Sequence, residues 1–422
     1  MRPHLNHRHL ASLGLGLAIL PAASAAEGPA GNDAAGPAPA ADILEALTNG
    51  TPSFATRLRL ESVSDDAASD DALALILDTT LGYETGSFEG VSAMLEFEGV
   101  HPLGDEDYNS TTNGQTDYPV VKDPTDDEIN RLWLRYQGVE DLDLKLGRQR
   151  IIYDDARHVG NVGWRANEQT YDGLRGDYSG VDNVHLSAAV LTNINTIGGG
   201  NLRTEPAILL HGDYQVTDIG TATAFAYLLD FDEDQNSATD LATFGLRFKG
   251  ATPWSDDGDI TYEAEIAQQS AYADSDDISA LHLHLQAGLT YQNYSARLGY
   301  ELLGSDDGNH GFAFPLGTNH KFNGWADKFL GTPAIGLTDL SLVLAGTWPE
   351  LLPGKLGAQL HIHKFDSDQD SVDLGSEVDA LITYAQNKHL KHGLKLAFYM
   401  EGDEGTGKQD TSKIMAFSTF SF

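Results

Sequence analysis

Residues 72–83 read Ala-Leu-Ala-Leu-Ile-Leu-Asp-Thr-Thr-Leu-Gly-Tyr. In an extended chain Leu73, Leu75, Leu77, Thr79, Leu81 and Tyr83 share one face, while Ala72, Ala74, Ile76, Asp78 and Thr80 share the other. Strand side chains alternate with a period of two, so this is a strand pattern. The alternation returns down the chain. Val91, Ala93, Leu95 and Phe97 oppose Ser92, Met94, Glu96 and Glu98, and Leu132, Leu134 and Tyr136 oppose Arg131, Trp133 and Arg135. Leu281, Leu283 and Leu285 oppose His282, His284 and Gln286, and Leu356, Ala358, Leu360 and Ile362 oppose Gln359, His361 and His363. A β-sandwich alternates in the same way, so connection lengths have to decide. Eighteen strands can be counted from 53–62 to 412–422. Short connections near 84–88, 137–141, 178–182, 217–220 and 291–293 alternate with long ones near 100–127, 147–169, 193–205, 231–240 and 303–336. The stretches near 250–259 and 348–354 read as short ends of middling length. An even strand count with short turns at one end and long loops at the other is the pattern of an outer-membrane barrel. The expectation is an all-β chain: a single transmembrane antiparallel β-barrel of 18 strands over residues 51–422, with long extracellular loops folding into the lumen.

The two ends of the sequence agree with that expectation. Residues 414–422 read Ile-Met-Ala-Phe-Ser-Thr-Phe-Ser-Phe, with Ile414, Ala416, Phe420 and Phe422 on one face. A last strand closing on Phe resembles the signature by which bacterial barrels are recognised for insertion, so the barrel-assembly machinery is an expected partner through Phe422. Residues 1–25 have the parts of a secretory signal peptide: Arg2 and Arg8, an apolar run from Leu10 to Leu20, and Ala23-Ser24-Ala25 as cleavage site. The apolar run is too short to span a bilayer, which takes about 20 residues. Residues 26–50 read as a flexible periplasmic leader, rich in Gly, Ala and Pro up to residue 41. The expected location is the bacterial outer membrane, in contact with its lipid and lipopolysaccharide.

Composition removes other classes. With 26 Lys+Arg against 63 Asp+Glu, the formal charge of -37 argues against nucleic acid, whose binding rests on basic side chains. The absence of cysteine rules out disulfide scaffolds, thiolate zinc sites and a cysteine nucleophile. A hydrophobic content of 41% is too low for a bundle of membrane helices.

Two of the long loops stand out. Residues 146–174 read LGRQRIIYDDARHVGNVGWRANEQTYDGL. From 145 to 175, six basic residues (Lys145, Arg148, Arg150, Arg157, Arg165, Arg175) meet four acids (Asp154, Asp155, Glu168, Asp172), a local excess of positive charge in an acidic chain. Residues 312–337 read FAFPLGTNHKFNGWADKFLGTPAIGL and hold His320, Lys321, Trp325 and Lys328 against Asp327. Long aromatic-rich loops in compact domains are usually functional. Together with FATRLRLESV, LGYETGSFEGVSAMLEFEGV and DPTDDEINRLWLRY, these loops resemble the bacterial alginate-export porin family over roughly residues 50–422. The resemblance implies an 18-stranded barrel that passes an anionic uronate polysaccharide, or a sugar acid, through an arginine-lined lumen without a cofactor.

Strand parity supplies candidate pore-lining residues. With Leu58 and Leu60 facing lipid, Arg57, Arg59 and Glu61 face the lumen; Arg131 and Arg135 follow on the fourth strand. Leu142, Leu144 and Leu146 facing lipid turn Lys145 inward. Arg148, Arg150, Arg157 and Arg165 extend the basic ladder, and Lys321 and Trp325 join it from the second loop. Guanidinium forks pair bidentately with carboxylates, which suits handing a uronate from site to site. The competing reading is that these cations brace the wall through Glu96, Glu98, Asp154, Asp155 and Glu168. Asp78 and Glu263 are further candidates for the lumen.

Other constellations carry less. Asp366-x-Asp368-x-Asp370 and Asp230-x-Asp232-x-Asp234 open like calcium loops, but Ser371 and Gln235 stand where Gly is needed. They read as acidic surface loops able to hold Ca²⁺ only loosely. His282/His284 and His361/His363 each share a strand face and read as lumen-facing. No G-x-S-x-G, Walker or H-E-x-x-H pattern is present, and no enzymatic activity is expected. A general or small-solute uptake porin of the same architecture is the alternative function. A barrel enzyme or a secreted polysaccharide-binding protein is the third reading, to be separated by fractionation.

Overall fold

The computed structural model describes residues 38–232, 239–275, 277–403 and 406–422. The signal peptide, the first part of the leader and the Asp234 end of one acidic run lie outside the described residues. Twenty strands follow in chain order: β1 (Thr51–Asp65), β2 (Ala72–Glu84), β3 (Val91–Pro102), β4 (Asp126–Val139), β5 (Leu142–Gln149), β6 (Thr170–Val181), β7 (Val184–Asn195), β8 (Asn201–Val216), β9 (Gly220–Leu229), β10 (Leu241–Ser255), β11 (Gly258–Ala271), β12 (Ser279–Tyr291), β13 (Tyr294–Leu303), the two-residue β14 (Ser305–Asp306) and β15 (His310–Gly311), β16 (Leu337–Leu352), β17 (Gly354–Asp366), β18 (Asp373–Ala385), β19 (Leu390–Met400) and β20 (Thr411–Ser421). Eighteen of them form one antiparallel sheet, and β14 and β15 make a separate small hairpin in the longest loop. Each barrel strand pairs with the next, and β1 pairs with both β2 and β20, so the sheet closes on itself. Beyond the last strand, Phe54 and Phe422 exchange both backbone bonds, at 3.2 and 3.0 Å. The barrel and its strand number are those expected.

Closure removes sheet edges, the condition for a strand to cross lipid. One end carries two-residue turns at Glu140–Asp141, Asp182–Asn183, Asp256–Asp257 and Gln292–Asn293. The other carries the long connections 103–125, 150–169 and 304–336. In outer-membrane barrels the short turns are periplasmic and the long loops extracellular. Leu58, Leu81, Leu132, Leu134, Leu146 and Leu174 are exposed on the outer face, as alternation required. Near the short turns that face carries Tyr136, Tyr178, Tyr214, Trp254, Tyr291 and Tyr294, an aromatic girdle at the periplasmic interface.

Two expectations are corrected. The stretches near 250–259 and 348–354 are not longer connections but strand: β10 runs to Ser255 and β16 to Leu352. Pro253 and Pro349, which lack the N–H a ladder needs, lie where the register of the sheet shifts. The leader is not free throughout. A short helix, α1 (Ile43–Thr48), is capped by Asp42, whose side chain accepts from Glu45 N–H. It docks on the periplasmic turn 85–90: Gly86 N–H donates to the Ala46 carbonyl, and Ser87 exchanges bonds with Ala38 and Ala40.

The hydrophobic core lies inside the barrel. Inward residues such as Leu191, Leu209, Phe225, Phe365, Tyr399 and Phe417 pack against Ile151, Tyr153 and Trp164 of the 150–169 loop. Phe312, Phe314, Trp325 and Phe329 of the 304–336 loop complete it. The lumen is therefore plugged by its own loops.

Candidate functional site: the plugged lumen

On β1, Arg57 and Arg59 point inward between the outward Leu58 and Leu60. Arg57 stands in register with Asp78 and donates to it at 2.8 Å. On β4, a bulge against β3 turns both Asn130 and Arg131 inward. Arg131 meets Glu96 at 2.5 Å, and Asn130 spans Glu96 and Glu168 at 3.0 and 2.9 Å. The wall thus offers cations already paired with wall or loop carboxylates.

The 150–169 loop is caught by its backbone. Arg57 donates to the carbonyls of Gly163 (3.0 Å) and Arg165 (2.7 Å), and Arg59 to that of Trp164 and to Asp123. Arg165 then reaches Glu61 and Asp123, both at 3.3 Å, and Asp327 at 3.1 Å. Burial would raise the Asp123 carboxyl, but the Arg59 and Arg165 guanidiniums outweigh it and hold it at about 2. Asp123 comes from the 103–125 loop, so a third loop enters the plug. Arg150 pairs with Glu168, while Arg157 reaches across to Glu301 (2.9 Å) and Asn323 (2.7 Å).

The 304–336 loop is fastened in turn. Trp325 and Ala326 donate their backbone N–H groups to Asp379 (3.3 Å) and Glu377 (2.6 Å) of β18. Lys321 donates to the Asp155 carbonyl at 2.7 Å, joining the two loops. His320 stacks on Trp164 at 5.1 Å, contacts Asp327 through Nδ1 (2.5 Å) and accepts from Lys395 at Nε2 (2.7 Å). Burial pushes His320 down to about 3, so the ring is neutral at physiological pH.

Of the eleven predicted residues, ten lie in the lumen or in the loops that fill it. Arg57, Arg131, Arg150 and Arg165 meet around one cavity of about 300 Å³. Arg135 and Lys145 line a wider cavity of about 610 Å³ near the periplasmic turns. Arg157, Lys321 and Trp325 sit within the plug and hold it together. Arg148 is the correction: in register with Leu132 and Asp172, it takes the parity of Leu146 and faces outward, bound to Asp172 (2.9 Å) and Glu128 (3.3 Å). The local excess of positive charge is met in part by acids from distant strands, Glu61 for Arg165 and Glu301 for Arg157. The bracing reading therefore describes the arginines as they stand, with Arg247 on Asp154 and Asp155 as a further case. Arg247, Lys395 and Lys413 were missed, although each stands beside an outward apolar residue (Leu246, Leu394, Ile414) and the same parity would have found them.

The two His pairs do face the lumen, on strands separated by β13 and β16. Among the described residues, two groups of three bring metal-ligating atoms together, and the Asp366–Asp370 run is in neither.

Fold and plug together define an outer-membrane β-barrel of the porin class. The barrel is similar to that of Pseudomonas aeruginosa OpdO (TM-score 0.66, 15% identity, covering 90% of this chain and 98% of that one). It is also similar to OpdK of the same organism, solved with vanillate (TM-score 0.69, 11% identity, 89% and 99%). Acinetobacter baumannii OccAB4 has the same architecture (TM-score 0.65, 13% identity, 88% and 97%). No curated protein matches the chain. The alginate-export family matches residues 82–304, more than half of the sequence, and the chain belongs to that family.

Proposed function

We propose that this porin passes a small acidic solute of sugar-acid size, by diffusion through the cavity beside Arg57, Arg131, Arg150 and Arg165. The observation that carries this is the cavity itself. Its volume of about 300 Å³ suits one small molecule, and it runs from the arginines to Ser421 and Phe422 at the periplasmic end. Each of these arginines has a carboxylate partner, so an incoming carboxylate can replace one ion pair with another of the same kind rather than strip a bare charge. A polymer needs a wider opening, and would require the loops 150–169 and 304–336 to leave the lumen. The family match supports a uronate as the solute; the vanillate of OpdK is an independent example of a small carboxylate in a barrel of this shape.

The test is a planar-bilayer recording under a KCl gradient, with galacturonate, glucose or oligouronates added. Transient block by galacturonate but not glucose, weakened in Arg131→Gln and Arg150→Gln, is the expected result. Block by oligouronates alone would favour polymer passage. A cation-selective pore indifferent to both acids would overturn the proposal.

A further inference from the structure

His158, Glu265 and His282 come from three elements, the 150–169 loop, β11 and β12, yet their ligand atoms lie within 4.8 Å of one another. Glu265 Oε1 is the shared vertex, 2.6 Å from His158 Nε2 and 3.2 Å from His282 Nδ1. On the other side of the His282 ring, Nε2 lies 3.0 Å from Glu301 Oε1. An ionised carboxylate only accepts, so in the neutral ring Glu301 takes the proton on Nε2 and Nδ1 is a lone pair. That Nδ1 is buried and has no hydrogen-bond partner. It faces Glu265, another acceptor, in a pocket walled by Phe225, Phe312 and Phe314. Two acceptors at 3.2 Å are relieved either by a second proton on the ring or by a metal cation between them. The neighbouring guanidiniums are engaged: Arg157 by Glu301 and Asn323, Arg247 by Asp154, Asp155 and Glu263. Arg247 approaches only the other Glu265 oxygen, at 3.8 Å.

We propose that His158, Glu265 and His282 bind a first-row divalent transition metal, of which Zn²⁺ is the probe, and that the metal ties the 150–169 loop to the barrel wall. Two imidazoles and a carboxylate are a zinc donor set with one position left open. Glu301 supplies the outer carboxylate that orients a metal-bound imidazole. Calcium, which takes oxygen donors, is excluded by the two nitrogens.

The experiment titrates ZnSO₄ calorimetrically into the folded full-length protein in detergent after EDTA treatment and dialysis. One equivalent should bind, and CaCl₂ should give no heat. His158→Gln and Glu265→Gln should weaken binding by more than the roughly 10- to 100-fold typical of an outer partner, and Glu301→Gln by an amount within that range. Co²⁺ in place of Zn²⁺ should give the visible bands of a four-coordinate site, a readout that merely structural damage does not produce. His185→Gln, in the periplasmic cavity, should bind like the parent. No zinc binding by the folded parent, or equal loss in His185→Gln, would overturn the proposal and leave a proton as the cation in the cluster.

Discussion

At the scale of single residues, Arg165 joins three acids from three parts of the chain in the plug. Buried with Glu61, Asp123 and Asp327 around it, it cannot be removed without leaving acidic charge in a dry setting. Breaking a buried pair this way costs about 3–5 kcal/mol. Arg165→Ala should therefore lower the thermal midpoint of the tryptophan near-ultraviolet signal and raise single-channel conductance; unchanged values would mean that the loop is held elsewhere. His320 gives the plug a pH dependence. Its ring titrates at about 3 in the docked loop against an ordinary 6.5, so an undocked loop binds more protons in between. Docking is therefore at full strength above pH 6.5 and weakens by about 1.4 kcal/mol per unit as pH falls below it, until the docked ring also protonates. His158, likewise pushed down by burial, adds in the same direction. Acid depression of Asp123 contributes only further down, below its ordinary carboxylate range. Conductance in metal-free buffer should rise between pH 6.5 and 5, and His320→Gln should flatten part of that rise. Parity made most of these residues legible in the sequence. It even spoke against Arg148, which shares a face with Leu144 and Leu146 and entered the list only through its loop. Some partners were legible too, since Glu96 and Glu168 are braces in both readings; others were not, because Arg57 and Gly163, or Arg157 and Glu301, meet only once the barrel has closed.

At the scale of elements, the 304–336 loop depends on close approach to the wall. Gly324 has φ +86°, a conformation that side chains disfavour, and a Cβ there would collide with the Glu377 carboxylate. That carboxylate receives the Ala326 N–H, so lifting Gly324 breaks the fastening next to it. Gly324→Ala should leave the barrel folded, as read by heat-dependent gel mobility, while the loop becomes open to protease and the pore conducts more. A protease-resistant loop would show that the wall yields instead. Strands were legible because lipid outside asks for an apolar side chain at every second position of nearly every one, against a mixed set of polar, small and aromatic side chains inside. The ends of β10 and β16 were not, since Pro signals a turn locally and only the neighbouring strand decides whether a shifted register absorbs it. The 103–125 loop was counted as a connection and nothing more; that it delivers Asp123 to two arginines is a fact of the third dimension.

At the scale of the whole molecule, the even strand number returns both ends of the barrel to the periplasmic side. There Phe54 and Phe422 pair through their backbones, and their rings stack at 5.7 Å. The seam between β20 and β1 is bonded like any other pair of neighbours. Such a barrel has a circular order of strands but no first strand. Circular permutation should follow: with residue 422 linked to residue 51 and new ends opened between Asp182 and Asn183, the chain should refold into detergent as the same heat-modifiable species. If only the parent does so, the place where synthesis starts and stops matters to assembly in a way that the finished sheet does not record.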